Sequence, residues 1–138
     1  MDACGGDEAE RLVFSAREVL AKMAMLQGDP VRDLLSICML LAGTRLGDMI
    51  VTGGHLRNDV PLLQFARHFR NACAHGDRWH FVRGEPKHAA ALRDLVLTRD
   101  LHGRQATFVT VSPRRFVDLL DDLSNHFVPG FVPPAARG

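Results

Sequence analysis

Residues 61–76 read PLLQFARHFRNACAHG, and this stretch decides the fold because it joins a helical apolar repeat to a run of polar side chains. Proline in the first turn and glycine after the last are typical of the two ends of a helix. The apolar side chains recur at helical spacing on one face: Leu62, Phe65, Ala66, Phe69, Ala72 and Cys73. The sequence therefore predicts a helix that opens at Asn58 or Asp59 and ends at Gly76.

The face opposite this apolar repeat carries polar side chains among small residues. Arg67, Asn71 and His75 follow one another at intervals of four residues. Arg70 lies between the two faces. A solvated surface explains Gln64 and Arg67, but the Ala, Cys and Asn residues beside Arg70 are not what solubility selects. We therefore predict that this face contacts another surface or a substrate.

These polar side chains form a coherent chemical set. His75 can take up and return a proton near neutral pH, and Arg70 offers a charged fork that suits a phosphate oxygen. Asn71 can hold the imidazole or a substrate hydroxyl. A proton-transfer group beside a phosphate-binding cation is what metal-independent RNA cleavage requires, because the ribose 2′-OH supplies the nucleophile.

The rest of the chain reads as further helices with one β-hairpin. A first helix is predicted from Asp7, and a second begins at Asp29-Pro30, an N-cap followed by a proline. Its predicted buried stripe is Val31, Leu34, Leu35, Cys38, Leu41 and Ala42. Residues 95–98 and 107–111, with a turn at 100–103, predict a hairpin. Ser112-Pro113 then opens the last helix, which gives a mainly α fold, a bundle of about four helices.

Composition bounds the class of protein. The 138 residues form one predicted domain, with its core at about 7–127 and a flexible tail at 130–138. The formal net charge of +1 argues against a general nucleic-acid coat protein. The longest apolar run, 37–42, is too short to cross a bilayer, and the acidic N-terminus is unlike a signal peptide. Three cysteines without paired spacing indicate no disulfide framework, so we expect a cytoplasmic protein.

The run Arg70-Asn71-Ala72-Cys73-Ala74-His75 resembles the R-polar-x3-H motif of HEPN domains, the higher eukaryotes and prokaryotes nucleotide-binding superfamily. The predicted architecture is also similar, since the motif ends the third helix and a hairpin precedes the last one. The resemblance covers roughly residues 7–127, although only the motif is specific.

The resemblance implies a homodimer in which two third helices pool two Arg and two His side chains in one cleft. It implies a metal-independent endoribonuclease with no cofactor, acting as a toxin or in defence, with an antitoxin or immunity protein as a partner. Arg70 would bind the phosphate, His75 would be the general acid and base, and Asn71 would orient them. Some such toxins carry Tyr two residues after the His, where this chain has Asp77.

The segment after the motif is locally basic and contains aromatic side chains. We take four residues as candidates for RNA binding: Arg67, Arg78, Trp79 and His80. Trp79 and Phe81 could equally pack beneath the loop. Three other histidines, His55, His102 and His126, are predicted at the surface or in turns.

Each site residue also has a structural alternative. Arg70 could pair with Asp33 or Asp48, and His75 could cap the helix. The chain could then be a non-catalytic module that binds RNA, a nucleotide or a protein. Cys73, His75, His80 and His88 suggest zinc by composition, but Cys73 and His75 diverge on the helix, so no metal site is predicted.

Overall fold

The computed structural model describes residues 29–130 and contains three α-helices and one hairpin. Helix α1 spans Pro30–Thr52 and helix α2 spans Pro61–Ala74. Strands β1 (Ala91–Leu92) and β2 (Leu95–Val96) precede a single 3-10 turn at Arg99–Leu101, and helix α3 spans Pro113–Phe127. A mainly helical fold with a small antiparallel hairpin before the last helix is therefore confirmed. The first predicted helix, from Asp7, lies outside the described residues.

Two units divide the chain, Met1–Leu35 and Ser36–Gly138. Of the first, the structure describes residues 29–35, which open α1. Asp29 caps this end as expected, because its Oδ1 accepts the backbone N–H of Arg32 at 3.1 Å. The core and every candidate site residue belong to the second unit.

The predicted buried stripe of α1 is wrong. Cys38, placed in the core from sequence, is exposed, as are Val31, Leu34, Leu35 and Leu41, while Ala42 is half-buried. The buried positions are Met39, Gly43, Gly47 and Ile50. Because α1 is apolar on most sides, the spacing of its large residues could not identify the packed face.

The buried glycines of α1 bring it into close contact with α2. A methyl group on Gly43 would lie 2.8 Å from both Cys73 Sγ and Phe69 Cε1. A methyl group on Gly47 would overlap the Cβ of Arg70. Glycine is therefore required at both positions for this approach, and Gly47 leaves room for the stem of Arg70.

Helix α1 meets the length and composition criterion for a membrane span, with 23 residues and a mean hydropathy of 1.7 in its most apolar window. The core helix of a soluble protein meets the same criterion. A signal sequence near an N-terminus meets it as well, and 22% of the window is buried. Helix α1 carries the charged Arg45 and Asp48, and its glycines pack against α2.

Helix α2 lies at the centre of the core. Pro61 begins it, and most of the predicted apolar face is buried, including Phe65, Phe69 and Ala72. Phe69 contacts Phe116 of α3 at a ring-centroid distance of 6.1 Å. Helix α3 begins as predicted at Ser112, whose hydroxyl oxygen accepts the backbone N–H of Arg115 at 3.2 Å.

The hairpin exists, and β2 lies within the predicted strand 95–98, but the predicted second strand 107–111 is wrong. β1 pairs with β2, with Ala91 opposite Val96, and the chain turns at Arg93-Asp94. Residues 107–111 form a tight turn rather than a strand, in which Val111 N–H donates to Ala106 O at 2.8 Å. Two side chains outweigh the β-propensity of this turn, because Asp77 binds Thr107 and Trp79 binds Thr110.

Candidate functional site

The C-terminal end of α2 positions the Arg-Asn-His line. Ala74 is its last helical residue, and His75 caps it, with its backbone N–H donating to Ala72 O at 3.3 Å. Gly76 and Asp77 then adopt φ values of 80° and 60°, a left-handed turn that redirects the chain. His75 therefore stands exposed at the corner between the helix and the following loop.

Arg70 is held in place by two neighbours. Its Nε donates to Asp48 Oδ1 at 2.7 Å, and one terminal nitrogen donates to Asn71 Oδ1 at 3.3 Å. Both charged side chains are about one-third exposed, at 32% for Arg70 and 38% for Asp48. Asp48 is thus the acidic partner that Arg70 takes, and the second terminal nitrogen has no hydrogen bond within residues 29–130.

Arg70 and His75 lie near each other along the helix, with no hydrogen bond between them within the described residues. Asn71, bound to Arg70, lies one helical turn before His75. A guanidinium that is about one-third exposed and an exposed imidazole thus lie near one helix end. This arrangement can bind an anion and move a proton, as long as the substrate bridges the two groups.

Arg67 is engaged in the fold. One terminal nitrogen donates to Glu85 Oε2 at 2.9 Å, and the other lies 3.4 Å from His68 Nε2. Glu85 is buried, and its Oε1 accepts the backbone N–H of Val82 at 3.0 Å. Burial alone would raise the pKa of Glu85, but the hydrogen bonds from Arg67 and Val82 hold it below its ordinary value. Arg67 therefore fastens the 82–85 segment to α2.

His68 and Gln64 lie in the core, so the solvated position expected for Gln64 is wrong. Gln64 Nε2 donates to Arg57 O at 3.0 Å. His68 is 1% exposed, and its Nδ1 has no partner within the described residues. Burial and the nearby Arg67 lower the pKa of His68. No sequence signal singled out these residues, because polar side chains at these positions read as surface.

Trp79 is buried at 1% exposure, which is the core alternative of the two that the sequence left open. Its Nε1 donates to Thr110 Oγ1 at 3.0 Å, and its ring stacks on Phe81 with an interplanar angle of 7°. Neither ring face is available to a nucleobase, so Trp79 leaves the set of candidate RNA-binding residues.

Arg78 and His80 remain on the surface. Arg78 donates to Gly103 O at 2.9 Å, and the ring of His80 lies 5.4 Å from that of His102. Between the motif and these residues, Asp77 accepts the backbone N–H of Thr107 at 2.8 Å and the Thr107 hydroxyl at 2.5 Å. Asp77 therefore anchors the 107–111 turn, in the position where the resemblance would place a tyrosine.

Cys73 does not have the chemistry of a metal ligand or a nucleophile here. Burial, with a contribution from Asp77, raises the pKa of its thiol to about 12, so it is protonated at neutral pH. Within residues 29–130 no three His, Cys, Asp or Glu side chains form a group that could hold a metal ion.

A cavity of about 400 Å³ lies away from the motif, between α1 and α3. Its lining is mostly apolar: Leu46, Met49, Ile50, His55, Leu120, Leu123, Ser124 and Phe127. The Arg70–His75 region is instead an open surface of the described unit, built from the end of α2 and the Asp48 side of α1.

Comparisons with protein-family models, with curated proteins and with solved structures found no match.

Proposed function

We propose that this chain is a HEPN-type, metal-independent endoribonuclease of the cytoplasm, acting as a toxin or defence component. The observation that carries the proposal is the group at the end of α2, where Arg70 is bound to Asn71 and His75 stands exposed one turn further on. RNA is the substrate because only ribose brings its own 2′-OH nucleophile to a site that supplies a cation and a base.

The reaction divides between these two side chains. An imidazole of His75 removes the proton of the 2′-OH, whose oxygen attacks the adjacent phosphorus. Arg70 stabilises the additional negative charge on the phosphate oxygens. The P–O5′ bond breaks, a protonated group donates to the leaving 5′-oxygen, and the other product carries a 2′,3′-cyclic phosphate.

A homodimer completes the proposed site. A second copy of α2 would bring a second imidazole, so one histidine acts as the base and the other as the acid. The partial exposure of Arg70 supports this arrangement, since its guanidinium is accessible to a substrate phosphate held between the two copies.

A cleavage assay in EDTA tests the proposal. We expect His75→Ala and Arg70→Ala each to slow cleavage of a labelled single-stranded RNA by about 100-fold or more. The matched controls are His126→Ala and Arg114→Ala, which alter exposed residues of α3. Both controls should cleave like the parent, and the product should end in a cyclic phosphate.

Two outcomes of this assay contradict the proposal. One is activity that survives both motif substitutions, and the other is activity lost equally in the controls. Because Arg70→Ala also removes the ion pair with Asp48, its melting temperature must be measured, and His75→Ala is the cleaner variant.

The second candidate function is a non-catalytic HEPN dimer that binds RNA, a nucleotide or a protein. The 2.7 Å ion pair between Arg70 and Asp48 favours it, because a guanidinium already neutralised by a carboxylate can serve packing alone. RNA binding by the parent protein without any cleavage would select this module.

A further inference from the structure

The positively charged side chains of the described residues fall into two groups, those that pair with a carboxylate and those that do not. Among residues 29–130, six arginines form ion pairs with carboxylates: Arg57, Arg67, Arg70, Arg93, Arg114 and Arg115. Five cations in the two loops after α2 have no carboxylate within 4.0 Å among residues 29–130: Arg78, Arg83, Lys87, Arg99 and Arg104. Cations kept free of carboxylates are available to an external anion.

The loops that carry these five cations, 78–88 and 99–104, are also positive in total. They contain two carboxylates, Glu85 and Asp100, so five cations leave a net charge of +3. Glu85 is buried and paired with Arg67, which removes most of its effect on the surface. The chain as a whole carries +1, so this charge is a local feature and not a property of the composition.

The fold joins the two loops into one surface. Trp79 N–H donates to Arg104 O at 2.9 Å, and Gly103 N–H donates to Trp79 O at 2.8 Å. Arg78 faces Gln105 in an antiparallel bridge. We call the paired segments 78–81 and 102–105 the basic ribbon. Residues distant in sequence thereby become neighbours, which the sequence alone could not show.

The pairing also sets which side chains point outward. Trp79 and Ala106 are buried, so Arg78 and Gln105, each one position away, lie on the opposite side of the ribbon. Arg78 is fixed by its hydrogen bond to Gly103 O, which lowers the entropy lost when an anion binds. The outward side of the ribbon therefore presents a positioned guanidinium.

His102 adds an oriented donor to this surface. The backbone N–H of Phe81 donates to His102 Nδ1 at 3.1 Å, so Nδ1 carries a lone pair and the ring proton lies on Nε2. His102 is exposed, and its ring lies 5.4 Å from that of His80. Within the described residues the Nε2–H has no partner, which leaves it able to donate to a phosphate oxygen or a base edge.

We propose that the basic ribbon binds the sugar–phosphate backbone of single-stranded RNA and leads it to the end of α2. The ribbon begins at Arg78, three residues after His75, so RNA bound along the ribbon passes next to the motif. The choice of RNA rests on the proposed function. The cations, the oriented imidazole and their position suit phosphates that repeat along a strand.

The test measures binding apart from cleavage. The probe is a labelled single-stranded 2′-O-methyl RNA, which lacks the nucleophilic hydroxyl, and the full chain is titrated at several salt concentrations. We expect Arg78→Gln combined with Arg104→Gln to weaken binding several-fold. The slope of log affinity against log salt should fall by about 1.4, since each lost phosphate contact on a single strand contributes about 0.7.

The matched control removes the same charge elsewhere, with Arg45→Gln on α1 combined with Arg114→Gln on α3. It should bind the probe like the parent. If the first variant has a lowered melting temperature, Arg104→Gln alone replaces it, because no hydrogen bond or ion pair of this side chain is found in residues 29–130. The expected change in slope is then about 0.7.

Three outcomes overturn the ribbon proposal: equal weakening in the control, no change in the ribbon variant, or capture of poly-glutamate with no RNA binding. The proposed nuclease fails separately. If the probe binds through the ribbon while unmodified RNA stays intact, the ribbon stands and the nuclease does not. If the ribbon variant cleaves RNA at the rate of the parent, the nuclease stands and the ribbon does not.

Discussion

His68 is the residue whose placement differs most from its appearance in the sequence. It is buried on α2, its ring lies 5.3 Å from that of Phe81, and its Nε2 accepts a contact from Arg67. Because arginine only donates, Nε2 must be unprotonated, so the neutral ring carries its proton on the unpartnered Nδ1. Protonation of both ring nitrogens would make His68 a second cation, next to Arg67, beside the single carboxylate of Glu85.

This environment predicts a pH-dependent stability. The pKa of His68 lies below its ordinary value of 6.5 because burial and Arg67 disfavour the charged ring. The unfolded chain therefore binds the proton more tightly. The contribution of His68 to the free energy of unfolding should be constant above pH 7.5 and should fall as the pH drops through 6.5.

Urea unfolding at pH 7.5 and 5.5 checks this expectation. His68→Gln keeps an acceptor for Arg67 but does not titrate, so the difference between the two pH values should shrink. His126→Gln, at an exposed position, should retain the full difference. Glu85 stays ionised over this range because its pKa is lowered from 4.5. An unchanged difference in the His68 variant would contradict the assignment.

At the scale of elements, the contact between α1 and α2 determines where Arg70 lies. Gly47 admits the stem of Arg70, which then reaches Asp48 one position further along α1. The glycine and the carboxylate thus act together on one guanidinium. The buried stripe of α1 was predicted from its large apolar residues. The face that packs consists partly of glycine, which has no side chain and so adds nothing to an apolar periodicity.

Gly47→Ala should therefore destabilise the fold by about 1–3 kcal/mol, since the added methyl group overlaps Arg70. The sign of this change in stability distinguishes a packed from an unpacked site, because glycine to alanine in an unpacked helix stabilises the fold by up to ~1 kcal/mol. Arg45→Ala, an exposed position of α1, is the control and should change stability by less than about 0.5 kcal/mol. Chemical denaturation measures all three proteins, and a more stable Gly47→Ala would refute the close packing.

At the scale of the whole molecule, the proposed nuclease needs two chains. One copy supplies an open surface with one Arg70 and one His75, whereas acid and base catalysis of the same bond uses two imidazoles. The dimer is therefore part of the proposed mechanism, and it has consequences that differ from those of a monomeric enzyme.

Subunit mixing tests the shared cleft. A heterodimer of one parent chain and one His75→Ala chain keeps both Arg70 side chains but only one imidazole in the pooled cleft. We expect it to cleave RNA far more slowly than half the rate of the parent homodimer, because base and acid each need an imidazole, and we expect a dimeric mass for the parent by light scattering. A monomeric mass at micromolar concentration, or half of the parent rate in a verified heterodimer, would contradict the pooled site.

The starts of α1 and α3 could be predicted from the sequence, because Asp29-Pro30 and Ser112-Pro113 cap these helices through hydrogen bonds within one turn. The predicted start of α2 at Asn58 or Asp59 is wrong: the helix begins at Pro61, and its N-cap Val60 makes no side-chain hydrogen bond. The apolar face of α2 was predictable because its helical spacing is also local to the chain. The motif Arg70-Asn71-x3-His75 was also legible, as was the corner at Gly76 that leaves His75 exposed.

Contacts between distant parts of the chain set which face of α1 is buried, where the hairpin pairs, and which polar side chains of residues 29–130 reach the surface. The sequence left four side chains as candidates for RNA binding. In the structure Arg67 binds Glu85 and Trp79 binds Thr110, whereas Arg78 and His80 are exposed. The physical reason is that each of these outcomes depends on a partner distant along the chain. Hydrogen bonds and close packing between such partners outweigh local propensity, and one sequence read alone does not contain their pairing.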